Sequence, residues 1–136
     1  MGLSVSLTVA LWRGVLGGRA AAEFVRTPND QAALWLDYTV PNGTFAGLGF
    51  GAGVRYIGQT YGNLNNTIIV PSYTLFDAML RYDLGQLGPK LEGLNFRLNA
   101  TNLTDQVYIA SCSSLTSANC YYGNRLAVYG TLSYQW

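Results

Sequence analysis

Apolar and polar residues alternate at period two over segments of about ten residues, and this constrains the chain more than any other feature. At the end of the sequence Leu126, Val128, Gly130, Leu132, Tyr134 and Trp136 fall on one face. Arg125, Ala127, Tyr129, Thr131, Ser133 and Gln135 fall on the other. Successive strand side chains point to opposite faces, so this is a strand with one apolar side. Earlier segments repeat the pattern. Leu94, Phe96, Leu98 and Ala100 oppose Asn95, Arg97, Asn99 and Thr101; Thr74, Phe76, Ala78, Leu80 and Tyr82 oppose Tyr73, Leu75, Asp77, Met79 and Arg81. Leu48, Phe50, Ala52, Val54 and Tyr56 oppose Gly49, Gly51, Gly53 and Arg55; Leu34, Leu36, Tyr38 and Val40 oppose Trp35, Asp37 and Thr39. Leu3, Val5, Leu7, Val9 and Leu11 alternate with Gly2, Ser4, Ser6, Thr8 and Ala10, another strand by period. The fold class is therefore all-β.

Alternation alone does not say which face meets water, because a soluble sheet also has one dry face. Strand length and composition favour a membrane. Soluble strands usually run about five or six residues, whereas a tilted strand needs roughly 9–11 to cross a bilayer. Charged residues are 11% of the chain, against 49% hydrophobic ones, where soluble domains carry about 25% charge. No apolar run approaches the roughly 20 residues of a membrane helix. Low charge, 16 Gly and 10 Tyr suit antiparallel transmembrane β-barrel strands, with a soluble β-sandwich as the alternative.

Connection lengths supply a direction. Residues 41–44, with Asn42-Gly43, read as a tight hairpin turn, and residues 85–93 as another short connection. Residues 60–71 are long and polar, and residues 106–123 are long and hold both cysteines. Barrels alternate short periplasmic turns with longer external loops. The final strand then ends at the periplasm and the cysteine loop is extracellular. Tyr38, Tyr82, Phe96, Tyr134 and Trp136 lie toward the periplasmic end of the apolar face and Tyr56 toward the other, as an aromatic girdle would.

The net charge of +1 without a basic run argues against nucleic acid as a partner. With no His and two Cys, neither a metal site nor a Ser/His/Asp or Cys/His centre is expected, and the chain does not read as an enzyme. Gly47, Gly49, Gly51 and Gly53 lack the spacing and the strand-to-helix turn of a phosphate loop; they read as a smooth strand face against which another element packs. The Asn-X-Thr triplets at Asn42, Asn65, Asn99 and Asn102 read as turn and strand residues. Asp37, Arg55, Asp77, Arg81 and Arg97 share the polar face, either as a charged, lumen-facing wall or as cross-strand ion pairs. Cys112 and Cys120, in an external loop, read as a disulfide rather than two free thiols.

Residues 1–12 weakly match a signal-peptide core with Ala20-Ala21-Ala22 as the cleavage-like run, but no positive charge precedes them. Residues 1–24 are therefore an uncertain N-terminal segment, a possible strand or a misassigned start, and residues 25–136 are barrel. There is no tandem repeat or linker.

Several stretches carry a resemblance. They are Val70-Pro71-Ser72-Tyr73-Thr74-Leu75-Phe76-Asp77-Ala78-Met79 with Leu80-Arg81-Tyr82-Asp83-Leu84, then Asn99-Ala100-Thr101-Asn102-Leu103-Thr104-Asp105, then Tyr108-Ile109-Ala110-Ser111-Cys112. Cys120-Tyr121-Tyr122-Gly123 and Leu132-Ser133-Tyr134-Gln135-Trp136 continue it. Upstream, Leu34-Trp35-Leu36-Asp37-Tyr38 and Gly53-Val54-Arg55-Tyr56 extend it. In order and spacing the chain resembles the C-terminal barrel portion of TonB-dependent siderophore receptors, and is most similar to the ferrichrome and hydroxamate-siderophore group.

The resemblance implies a plugged barrel of roughly 22 strands in the bacterial outer membrane, taking up ferric siderophores with the TonB system. It implies no cofactor, since iron travels on the siderophore. It matches Cys112–Cys120 to the family's loop disulfide, places Tyr121 and Tyr122 in an external ligand-binding loop, and makes Trp136 part of the signal read by the barrel-assembly machinery. The family more often ends in Phe, and in the ferrichrome group an aromatic often follows the first loop Cys, where this chain has Ser113. About five or six strands fall short of the roughly eight of the smallest single-chain barrels. The chain is therefore expected to be a partial barrel, a receptor fragment inactive by itself. The alternatives are a small self-assembling outer-membrane barrel or a soluble β-sandwich binding module.

Overall fold

The computed structural model describes residues 6–13, 28, 30–63, 65–112 and 119–136. Ten strands follow in order: β1 (Ser6–Arg13), β2 (Asp30–Thr39), β3 (Leu48–Ile57), β4 (Thr60–Tyr61), β5 (Ile69–Val70), β6 (Tyr73–Asp83), β7 (Leu94–Thr101), β8 (Ile109–Cys112), β9 (Cys120–Tyr122) and β10 (Ala127–Tyr134). Six of them form one antiparallel sheet in the order β1-β2-β3-β6-β7-β10. Chain neighbours are sheet neighbours throughout, once the two small hairpins β4-β5 and β8-β9 are set aside. The N-terminal strand read from Leu3 to Leu11 runs on to Arg13 and pairs along β2; residues 1–5 and 14–27, with the cleavage-like alanines, lie outside the described residues.

The ladder registers keep the alternation in phase from strand to strand. Leu36 faces Ala52, Ala52 faces Ala78, Ala78 faces Ala100 and Ala100 faces Val128. A one-residue slip anywhere would have moved apolar residues to the polar side. On the apolar face Leu34, Leu36, Phe50, Tyr56, Phe76, Val128, Leu132 and Tyr134 are all exposed. The buried apolar residues, Val70, Leu75 and Cys112, lie elsewhere. Among the described residues no second sheet covers the apolar face, so the β-sandwich alternative fails: a sandwich buries that face against a partner sheet. An uncovered apolar band of this extent needs hydrocarbon beside it. β2, β3 and β6 reach the roughly 9–11 residues that crossing it takes, and β1, β7 and β10 have 8 residues each. β6, at 11 residues, rises about 3.3 Å per residue and spans about 25 Å when tilted near 45°.

The sheet's two ends differ. At one end lie the β2–β3 and β6–β7 connections and Trp136; at the other lie the β4-β5 and β8-β9 hairpins, which follow β3 and β7. The predicted Pro41–Thr44 turn is longer than expected and includes Gly47, which is not on the strand face with the other glycines. Val40 N–H donates to Leu48 O at 2.8 Å and Gly47 N–H to Val40 O at 3.0 Å, with Gly43 and Gly47 at φ +96° and +84°. The β6–β7 connection folds into two 3₁₀ turns, Leu84–Leu87 and Pro89–Leu91. Asp83 Oδ1 caps the first by accepting from Gly85 N–H at 3.0 Å. Gly93, at φ +81°, lies so close to the Gln135 carbonyl that a Cβ would overlap it, and Gln135 N–H donates to Gly93 O at 3.0 Å.

Candidate functional site

The polar face is organised by the glycines of β3. Gly51 and Gly53 lie under the Trp35 indole, where a Cβ on Gly51 would stand 2.8 Å from the ring and one on Gly53 would overlap it. The close-packing element expected there is thus a neighbouring side chain. Gly49 does the same for a cation. Arg81 on β6 lies across the missing side chain of Gly49, its ladder partner, and reaches β2, where its Nη2 donates to Asp37 Oδ1 at 2.6 Å and to Thr39 Oγ1 at 2.9 Å. The other pair is shorter in reach: Arg55 Nε donates to Asp77 Oδ2 at 2.8 Å between adjacent strands. Of the five polar-face charges read from the sequence, four are joined into these two ion pairs. Arg97 stands directly across the ladder from Arg81 and is exposed.

From Asp77 a chain of hydrogen bonds leads into the long-loop end. Its Oδ1 accepts from Asn102 N–H at 3.1 Å. Asn102 is 2% exposed and has φ +53°, which Asn tolerates better than most residues. Its side chain holds both stems of the cysteine loop. Nδ2 donates to Gln106 O at 2.8 Å and to Asn124 O at 2.9 Å, and Oδ1 accepts from Gln106 N–H at 2.9 Å. Beside it Asp105 takes both nitrogens of a fork from Arg125, Nε at 2.7 Å and Nη2, and accepts from Leu126 N–H at 2.9 Å. The Arg125 guanidinium first, and then the Leu126 amide, hold the Asp105 carboxyl down at about 2.

Cys112 and Cys120 form a disulfide that closes the β8-β9 hairpin; Ser113 lies outside the described residues. The second hairpin, β4-β5, is knotted by Asn63, 2% exposed, whose Oδ1 accepts from Thr67 N–H at 3.0 Å and Ile68 N–H at 3.2 Å. The two hairpins touch where a Cβ on Gly62 would stand 3.2 Å from Cys112 Sγ. Tyr108 packs on Tyr73 with ring centroids 4.3 Å apart. A cavity of about 170 Å³ lies between these elements, lined by Tyr61, Tyr73, Val70, Ile109 and Ser111 among others. Tyr121 and Tyr122 stand outside it, 59% and 73% exposed. The cavity aromatics Tyr61 and Tyr73 and the hub Asn102 were not singled out as site residues in the sequence. Tyr73's place on the polar face was a usable signal; Asn102 had none beyond its turn-forming type.

At the short-turn end Tyr38 packs on Phe50 at 5.3 Å and Tyr134 near Trp136 at 6.3 Å between ring centroids. The register sets Tyr82 beside Phe96 and Phe96 beside Leu132. Aromatics thus gather at one level of the apolar face.

A family model for the β-barrel of TonB dependent receptor-like proteins matches residues 2–103. The chain belongs to this family. It is 42% identical to the ferrioxamine B receptor of Salmonella typhimurium over 110 residues, 81% of this chain and 15% of that protein. It is 39% identical to the ferrichrome outer membrane transporter/phage receptor of Escherichia coli, over 81% of this chain and 14% of that one. The solved siderophore receptor PiuA of Acinetobacter baumannii superposes with a TM-score of 0.66 and 28% identity, over 81% of this chain and 14% of that structure. The chain thus spans about 14–15% of the length of these relatives. TonB-dependent receptor barrels are outer-membrane proteins, and the uncovered apolar face of this sheet is the lipid-facing surface such a barrel requires.

Proposed function

We propose that this chain is part of an outer-membrane receptor that takes up ferric siderophores with the TonB system, and that it neither binds nor moves a siderophore unaided. The observation that carries this reading is the sheet itself: a single layer, apolar outward, with glycines and ion pairs on the other face and long, cross-braced loops at one end only. In this reading residues 25–136 are barrel, and the pairing of β1 with β2 adds residues 6–13 to it. Asp37, Arg55, Asp77, Arg81 and Arg97 face the lumen. The disulfide hairpin presents Tyr121 and Tyr122 to an external ligand, and Trp136 is read by the barrel-assembly machinery. The names of the relatives support a siderophore as the ligand; the match to ferrioxamine and ferrichrome proteins favours the hydroxamate class.

A chimera tests this. The matching segment of the ferrioxamine B receptor is replaced by this chain and produced in a strain lacking siderophore receptors. Uptake of radiolabelled ferric ferrioxamine is expected with the chimera and not with the chain alone. A chimera that assembles but transports no siderophore would count against the reading, and uptake by the chain alone would overturn the claim of inactivity. Among the described residues β1 and β10 each leave one edge of the sheet unpaired. Edges of this kind also allow several copies to close a barrel together, which a heat-modifiable oligomer in detergent would reveal.

A further inference from the structure

We propose that Asn42 is a site of spontaneous covalent modification, its side-chain amide closing on the Gly43 backbone nitrogen and opening again as aspartate or isoaspartate. Of the chain's asparagines, Asn42 alone precedes a glycine. The β2–β3 turn is closed without this pair: Val40 N–H donates to Leu48 O at 2.8 Å and Gly47 N–H to Val40 O at 3.0 Å. Among the described residues the Gly43 N–H and the Asn42 side chain have no hydrogen-bond partner. Both residues are exposed, and a Cβ on Gly43 would meet nothing within 4 Å. Glycine has no side chain to hinder its nitrogen, and its backbone takes up the geometry of ring closure at less cost than other residues. The other asparagines differ. The nitrogen after Asn66 is that of Thr67, which donates to Asn63 Oδ1 at 3.0 Å. The nitrogen after Asn102 is that of Leu103, which donates to Phe76 O at 2.8 Å. Asn63 and Asn102 are themselves 2% exposed, with both ends of the side-chain amide bonded.

The chemistry needs only water. Gly43 N gives its proton to a base in the buffer and bonds to Asn42 Cγ. The bond from Cγ to the side-chain nitrogen breaks, and ammonia leaves with a proton returned from solvent. The product is a five-membered cyclic imide. Water then adds to one of its carbonyls, leaving its hydroxyl on that carbon and a proton on Gly43 N. Breaking the bond from Gly43 N to Cγ gives aspartate; breaking the bond to the Asn42 main-chain carbonyl gives isoaspartate. Either product puts a new carboxylate at the short-turn end. Isoaspartate also carries the main chain through the side chain and lengthens the path from Val40 to Gly47.

The test incubates the full chain in detergent micelles at neutral pH in ¹⁸O-water and maps its peptides by mass spectrometry over time. Asn42 is expected to take up ¹⁸O and to yield both aspartate and isoaspartate. Its conversion should run at least about tenfold faster than that of Asn63, Asn66 or Asn102, a difference of about 1.4 kcal/mol in barrier. A free peptide spanning residues 38–47 is run beside it and should convert at a comparable rate, because the turn leaves the Gly43 nitrogen as open as an unfolded chain does. N42Q is expected to abolish the signal in this peptide, with backbone amide spectra reporting that the variant folds. Asn42 intact in the folded chain while the free peptide converts, aspartate without isoaspartate, equal conversion at the bonded asparagines, or a signal that persists in N42Q would each overturn the proposal.

Discussion

The two ends of the sheet are built by different means. At the short-turn end the connections are closed by backbone hydrogen bonds and by glycines at positive φ, Gly43, Gly47 and Gly93. At the long-loop end the backbone is held by side chains: Asn102 and Asn63 as buried hubs, the Asp105–Arg125 fork and the Cys112–Cys120 disulfide. Backbone closure is compact and depends little on which side chains are present. Side-chain closure allows long excursions, and it puts the geometry of an external site under the control of a few residues.

The comparison is broken most severely at Asn102. Asn102→Ala leaves the Gln106 amide and the Gln106 and Asn124 carbonyls without their partner and places Ala at positive φ, a loss of roughly 3–5 kcal/mol. Protease cleavage within residues 103–126 is expected to rise sharply, with the six-stranded sheet still folded by circular dichroism. Next, replacing Cys112 and Cys120 together by Ser removes a short-loop crosslink worth roughly 2–3 kcal/mol on the chain-entropy model. Its effect should stay within the two hairpins, measured as faster hydrogen exchange there and not at residues 40–48. The short-turn end is probed by Gly93→Ala, where the positive φ and the Gln135 carbonyl together cost about 2 kcal/mol. The expected readout is a change in Trp136 fluorescence with no change in loop cleavage. The smallest effect concerns pH. Asp105 is held at about 2, below its ordinary 3.8, so its contribution is complete above pH 3.8 and fades as pH falls through 2. A carbon-13 NMR titration of the Asp105 carboxyl shows this directly, and Arg125→Gln should return the midpoint toward 3.8.

Much of the fold was legible because a strand's parity is local. That Leu36 and Trp35 fall on opposite faces follows from the neighbours in sequence, and ten-residue alternation leaves one phase. The ends were legible for the same reason, through turn residues and loop lengths. What was missed is instructive. The β4-β5 and β8-β9 hairpins carry two to four residues per strand, too few for a periodic signal. The β2–β3 turn was placed on Asn42-Gly43, whereas the chain closes at Gly47. The polar-face charges were found and cross-strand ion pairs among them expected, yet which residues pair was not legible.

Sequence alone therefore determined that this is an all-β chain, which of its residues share a face, and which end carries the long loops, while strand length and low charge favoured a membrane over a sandwich. These follow from local periodicity, composition and spacing and need no knowledge of distant contacts. Only the tertiary structure decided that Arg81 passes over Gly49 to Asp37, that Trp35 covers Gly51 and Gly53, and that Asn102 ties Asp77 to both stems of the cysteine loop. Each depends on which residues the register sets side by side across strands, and on the space a missing Cβ leaves between them. The alternation that identifies a barrel wall says where its charges point; the register says which of them meet.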